Sequence, residues 1–153
     1  MRSAALAAGA VAVAALGAAL LWNSNGEEGA SGAAPAMLEQ GRQVYAESCA
    51  SCHGARLEGQ PGWKTPLPSG RMPAPPHDAS GHTWHHGDGL LLRIVRDGTA
   101  AVVGGGYESD MPGFAGLLSD EEIRAVLAFI RSGWPARERA YQAEMTRREG
   151  ETR

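Results

Sequence analysis

Both cysteines of the chain lie in one short stretch, Glu47-Ser-Cys-Ala-Ser-Cys-His-Gly-Ala-Arg56, with Cys49 and Cys52 three positions apart and His53 directly behind the second. Two thiols at that spacing can form a redox couple, supply half of a zinc site, or add to the vinyl groups of a haem whose iron the adjacent imidazole then reaches. A redox dithiol sits behind a strand, whereas this stretch follows a helix-like segment in a chain without strand patterns. Zinc competes better, because His82 and His86 have the spacing of a Cys2His2 site. However, the gap of 29 positions from His53 to His82 is long, and zinc leaves His53 without a task. Covalent haem gives Cys49, Cys52 and His53 a role each and predicts a second iron ligand from the opposite face.

For that second ligand a methionine sulfur is the soft, neutral candidate that favours ferrous iron. Met37 in the first helical segment and Met145 in a charged tail read as packing or surface. Met72 and Met111 lie in loops and are both followed by proline. Met111 is the better placed, since it comes after the second helix and just before the last, which lets the chain circle the porphyrin edge. A further cluster calls for its own reading: His77, His82, His85 and His86 fall within PPHDASGHTWHHGDG. The plain reading is a loop of local hydrogen bonds with Trp84 packed over the haem edge. The alternatives are a second metal site, copper or zinc, at His82, His85 and His86, or a histidine replacing Met111 on the iron.

The elements that must position these residues are helical. In residues 37–48, Leu38, Val44 and Tyr45 recur at helix-like intervals and lead into Cys49. Residues 59–76 hold six prolines and form a stiff loop. A helix over 88–97 is capped by the Asp88 side chain and ended by a left-handed Gly98. Residues 102–116 are turn-rich. Ser119 and Glu122 then form a capping box for a helix over 120–132, which Trp134-Pro135 ends. Residues 136–153 read as a charged, solvated helical tail or partner segment.

The N-terminal part serves delivery. Residues 1–22 contain an uncharged run, Ala4 to Trp22, about as long as a membrane-crossing helix, behind Arg2. Residues 23–36 are small, polar and glycine-rich, a flexible tether. The expectation is an uncleaved anchor in a bacterial inner membrane with a domain at 37–135 in the periplasm; the alternative is a soluble periplasmic protein after signal cleavage. A formal net charge of −3 and no basic patch speak against nucleic acid.

The combination of Gly41-x-x-x-Tyr45-x-x-x-Cys49-Ala-Ser-Cys52-His53-Gly54, Asp110-Met111-Pro112-Gly113-Phe114 and Leu118-Ser-Asp-Glu-Glu-Ile-x-x-Val-Leu-x-Phe-Ile130 resembles the monohaem class I cytochromes c over residues 38–134. The resemblance implies an all-α fold wrapped around one haem c. Its first and last helices would cross where Gly41 and Tyr45 meet the face carrying Leu127 and Phe129 or Ile130. It implies thioether bonds at Cys49 and Cys52, His53 as proximal ligand and Met111 as distal ligand. A carbonyl of the loop after the motif would orient the His53 ring, with Pro61 the candidate. Trp63, Arg71 and Tyr107 are candidates to bond the propionates.

The function so implied is that of a monomeric electron carrier, not an enzyme, serving membrane or periplasmic redox partners. Two other functions remain in view. One is a haem or copper sensor using the His77–His86 cluster, and the other is an electron-entry subunit of a larger oxidoreductase.

Overall fold

A computed structural model of the protein describes residues 33–152. The expected anchor at 1–22 and residues 23–32 of the tether lie outside the described residues. No helix among those described is long and apolar enough to cross a membrane. The described chain is all-helical: α1 (Pro35–Ser48), α2 (Ala50–His53), a 3-10 turn (Thr83–His85), α3 (Asp88–Asp97), α4 (Thr99–Val103), α5 (Asp120–Ser132) and α6 (Ala136–Glu151).

The first helix starts at Pro35, two residues before the expected Met37, because proline at the first helical position has its φ already set and no N–H to leave unpaired. It crosses α5, the most extensive helix pairing of the structure. Gly41 makes the crossing possible. A Cβ there would lie within 2.9 Å of Phe129 Cβ and closer still to the Ala125 carbonyl. Val44 and Tyr45 then pack with Val126, Ile130 and Trp134 in one buried cluster. Each such side chain contributes about 1.5–3 kcal/mol by leaving water. Leu127 does not face α1 as expected; it joins Leu91 and Ile123 in a second cluster between α5 and α3.

The α5 boundaries are as the capping box dictates. Ser119 Oγ accepts from the Glu122 N–H, and the Glu122 carboxylate accepts from the Ser119 N–H at 2.8 Å. For α3 the boundaries also agree, but the cap differs. Gly87 is the N-cap, and the Asp88 carboxylate takes Arg131 and Gln142 as partners instead. Gly98, at φ 88°, ends α3 and opens α4, a short helix that no expectation covered and that runs two residues into the turn-rich stretch 102–116.

The tail is helical as expected, yet one face of it is not solvated. Gln142 is 1% exposed, and its amide donates to Asp88 Oδ1 at 2.7 Å and to the His86 carbonyl at 3.4 Å. The Asp88 N–H donates to Thr146 Oγ1 at 3.1 Å and the Gly89 N–H to Glu149 Oε2 at 3.0 Å. Thus α6 supplies the acceptors that the first N–H groups of α3 lack within their own helix. Gly87 leaves room for this approach, since a Cβ there would lie 3.2 Å from Thr146 Cα and collide with the Glu149 carboxylate.

Candidate functional site

The cysteines sit at the break between α1 and α2. Cys49 ends α1, with its N–H donating to the Tyr45 carbonyl at 2.9 Å, and its own carbonyl accepts from His53 N–H at 2.9 Å. One helical turn therefore carries both thiols and the imidazole. Both cysteines are free thiols, Cys49 half-buried and Cys52 exposed. Burial, reinforced by Cys52, pushes the Cys49 thiol up to about 11. Gly54, at φ 83°, ends the turn, and the Tyr45 hydroxyl donates to its carbonyl at 2.8 Å, tying the motif to the core.

The His53 side chain is buried, and its Nδ1 lies 2.8 Å from the Pro75 carbonyl. A carbonyl only accepts, so Nδ1 carries the proton and the lone pair is left on Nε2, the tautomer a metal ligand needs. Burial pushes the imidazole pKa down, the Pro75 bond opposing it, which favours the neutral ring. The orienting carbonyl is therefore Pro75 and not Pro61. The reason is the path of the 59–76 loop, which doubles back on itself. Gln60 N–H donates to the Ala74 carbonyl at 2.9 Å, the Gln60 side chain accepts from Ala74 N–H at 2.8 Å, and Gly59 N–H donates to the His53 carbonyl at 2.8 Å. This brings the end of the loop to His53 and leaves Pro61 exposed.

A separate set of contacts places Met111. Phe114 N–H donates to the Val95 carbonyl at 3.0 Å and Ala115 N–H to the Arg96 carbonyl at 2.9 Å, so the Met-Pro-Gly-Phe segment satisfies the open C-terminus of α3. Gly98 and Gly113 allow that approach: a Cβ on Gly98 would stand 2.8 Å from Gly113 N. The Met111 sulfur accepts from the Thr99 hydroxyl at 3.3 Å, a donor that its place behind Gly98 gives no sequence reason to expect. Met72, by contrast, is 36% exposed.

Arg71 ties the two loops together through Asp110, at 2.5 Å, and Glu108, at 3.3 Å. Its guanidinium is thus engaged by two carboxylates through Nε and Nη1. Trp63 stacks on His82 at 5.5 Å, and Tyr107 is exposed. Among the described residues, the exposed large hydrophobics Leu67, Val103, Tyr107 and Leu117 fall in the loops and short helix flanking Met72 and Met111.

The alternative reading of His82, His85 and His86 as a second metal site finds no support in the geometry. Among the described residues no group of three or more His, Cys, Asp or Glu side chains can hold a metal ion. The rings are drawn to different neighbours: His82 stacks on Trp63 and meets His86 edge-on at 5.7 Å, while His85 packs against Trp84 and, at 5.6 Å, Tyr141 of α6. Trp84 also meets Tyr141 edge-on, so the turn is a platform for the C-terminal helix. His77 belongs elsewhere, stacked on His53 with centroids 4.0 Å apart.

Two thiols on one turn with a buried neutral imidazole directly behind them fit a covalently attached haem. A family model described as cytochrome c matches residues 38–134. Among curated proteins, the cbb3-type cytochrome c oxidase subunits FixP of Sinorhizobium medicae (strain WSM419) and Rhizobium meliloti (strain 1021) are 30% and 29% identical over 98 residues. That region is 64% of this chain but 28% of each relative, so the chain spans less than a third of the length of the relatives it matches. No solved structure matches the chain.

Proposed function

The chain belongs to the cytochrome c family, and on that premise we propose that it is a one-electron carrier with His53 as proximal and Met111 as distal iron ligand. Haem c, covalently attached at the Cys49-x-x-Cys52-His53 motif, supplies an iron that alternates between ferric and ferrous states. Cys49 and Cys52 fix the group to one helical turn. His53 presents a neutral Nε2, with Pro75 holding its proton on the other nitrogen. Met111 presents its sulfur from the loop pinned to the end of α3. The observation that carries this reading is the buried His53 ring with Nδ1 committed to a carbonyl directly behind the two thiols.

With both axial positions assigned to side chains, the reading gives the chain electron transfer and no substrate turnover. In its setting, residues 1–22 anchor the chain in a bacterial inner membrane and residues 23–34 tether a periplasmic domain, raising its effective concentration near redox partners. A soluble periplasmic form after cleavage is the alternative. A second functional reading, an electron-entry subunit of a larger oxidoreductase, is favoured by the similarity to two proteins named as oxidase subunits.

Potentiometric titration of the holoprotein tests the carrier reading. It predicts a single one-electron wave and a reduced form that does not bind carbon monoxide rapidly at neutral pH; rapid binding would contradict it. Release from membranes in a fixed ratio with oxidase subunits would favour the second reading over a free shuttle.

A further inference from the structure

His77 is set apart from the other three histidines of its cluster by what holds it. Its N–H donates to the Leu57 carbonyl at 2.8 Å, and its carbonyl accepts from Trp134 Nε1 at 2.7 Å. Its ring nitrogen Nδ1 is hydrogen-bonded to Thr83 Oγ1 at 2.8 Å, and both Thr83 and Trp134 are buried. The ring is therefore fixed at the backbone and at its edge, from the end of α5 on one side and the 3-10 turn on the other. One face of it lies against His53, with centroids 4.0 Å apart and planes at 22°.

The bond from His53 Nδ1 to Pro75 fixes the tautomer, but a carbonyl accepts over a broad range of directions and leaves the ring free to tilt. A flat, anchored neighbour removes that freedom. We infer that His77 is a positioning residue that locks the plane of the His53 imidazole by stacking on it. This inference rests on the reading of His53 as the proximal iron ligand. In the ferric protein the orientation of an axial imidazole plane splits the iron d orbitals, so it is recorded in the EPR g values and in the order of the haem-methyl proton shifts. A residue that merely filled space would leave both unchanged.

The test compares ferric holoprotein carrying His77→Ala, His77→Phe or Thr83→Val. His77→Ala should move the largest g value and reorder the haem-methyl shifts, whereas Thr83→Val and His77→Phe, which keep a flat ring but lose its bond at the edge, should do so to a smaller extent. Parent g values and shift order in His77→Ala would overturn the inference. Should His77→Ala fail to fold, parent g values and shift order in His77→Leu, which fills the space without a flat ring, would overturn it equally. A His53→Gly control separates this from the ligand reading. If it retains the parent low-spin ferric spectrum, both fall; if it loses that spectrum while His77→Ala changes nothing, the stacking role alone falls.

Discussion

At the scale of single residues, the site depends on atoms with one available arrangement. Gly41 is such a case. Gly41→Ala would push a methyl into the Ala125 carbonyl, and since that atom is backbone, the α1–α5 crossing must open. The expected cost is about 1–3 kcal/mol, read as a lower midpoint in denaturant unfolding of the holoprotein; an unchanged midpoint would show that the crossing has slack. Thr99 acts on the electronic side. Its hydroxyl donates to the Met111 sulfur, so with Met111 as the proposed ligand it would withdraw density from the coordinating sulfur and disfavour ferric iron more than ferrous. Thr99→Val should therefore lower the reduction potential. The size is bounded by the net worth of one hydrogen bond, about 1 kcal/mol, or roughly 40 mV for one electron. Thr99→Ser should restore the parent value, and a potential unmoved by Thr99→Val would remove the role. Cys49, Cys52 and His53 can be singled out from spacing, and Met111 from its place between two helices, because the role proposed for each rests on its own side chain. Pro75 and Thr99 cannot. The first contributes a backbone carbonyl delivered by a loop that doubles back, and the second is placed by a glycine pair, Gly98 and Gly113, that meet only in three dimensions.

At the scale of elements, helices with a local signature are the ones the sequence announces. The Ser119–Glu122 box marks the start of α5, and the stop at Gly98 marks the end of α3. The short α4 lacks such a mark, and the docking of α6 is hidden for a different reason. Its inward face is Glu138, Gln142, Met145 and Glu149, a stripe at helical spacing made largely of polar residues, so no apolar periodicity signals a buried face. What holds α6 is hydrogen bonding to the N-terminus of α3 and ring contacts with Trp84 and His85. The GHTWHH turn, whose plain reading is a loop of local contacts, is the seat of this helix. Gln142→Leu would leave a shape of similar size but strand the Asp88 carboxylate and the His86 carbonyl of one partner each. We expect a loss of about 1–3 kcal/mol in unfolding free energy. The ferric spectrum should be unaltered, because α6 packs on the 3-10 turn and on α3. Full retention of stability would mean that the ring contacts alone seat the helix.

At the scale of the whole molecule, two parts of the chain carry the proposed iron ligands. One is the α1–α2 turn with the doubled-back proline loop behind His53, and the other is the Met111 segment stapled to the end of α3. Arg71, paired with Asp110 and Glu108, links the loops of the two parts. An electron carrier needs this arrangement to keep both axial ligands in place in both oxidation states, since a ligand that leaves adds reorganisation to every transfer. The claim at the centre is therefore that Met111, and not Met72 or a histidine, completes the coordination begun by His53. The weak far-red absorption of methionine-ligated ferric haem tests it most directly. The band should be present in the parent protein and in Met72→Ala and absent from Met111→Ala. A band that survived Met111→Ala, or that vanished in Met72→Ala alone, would contradict the account.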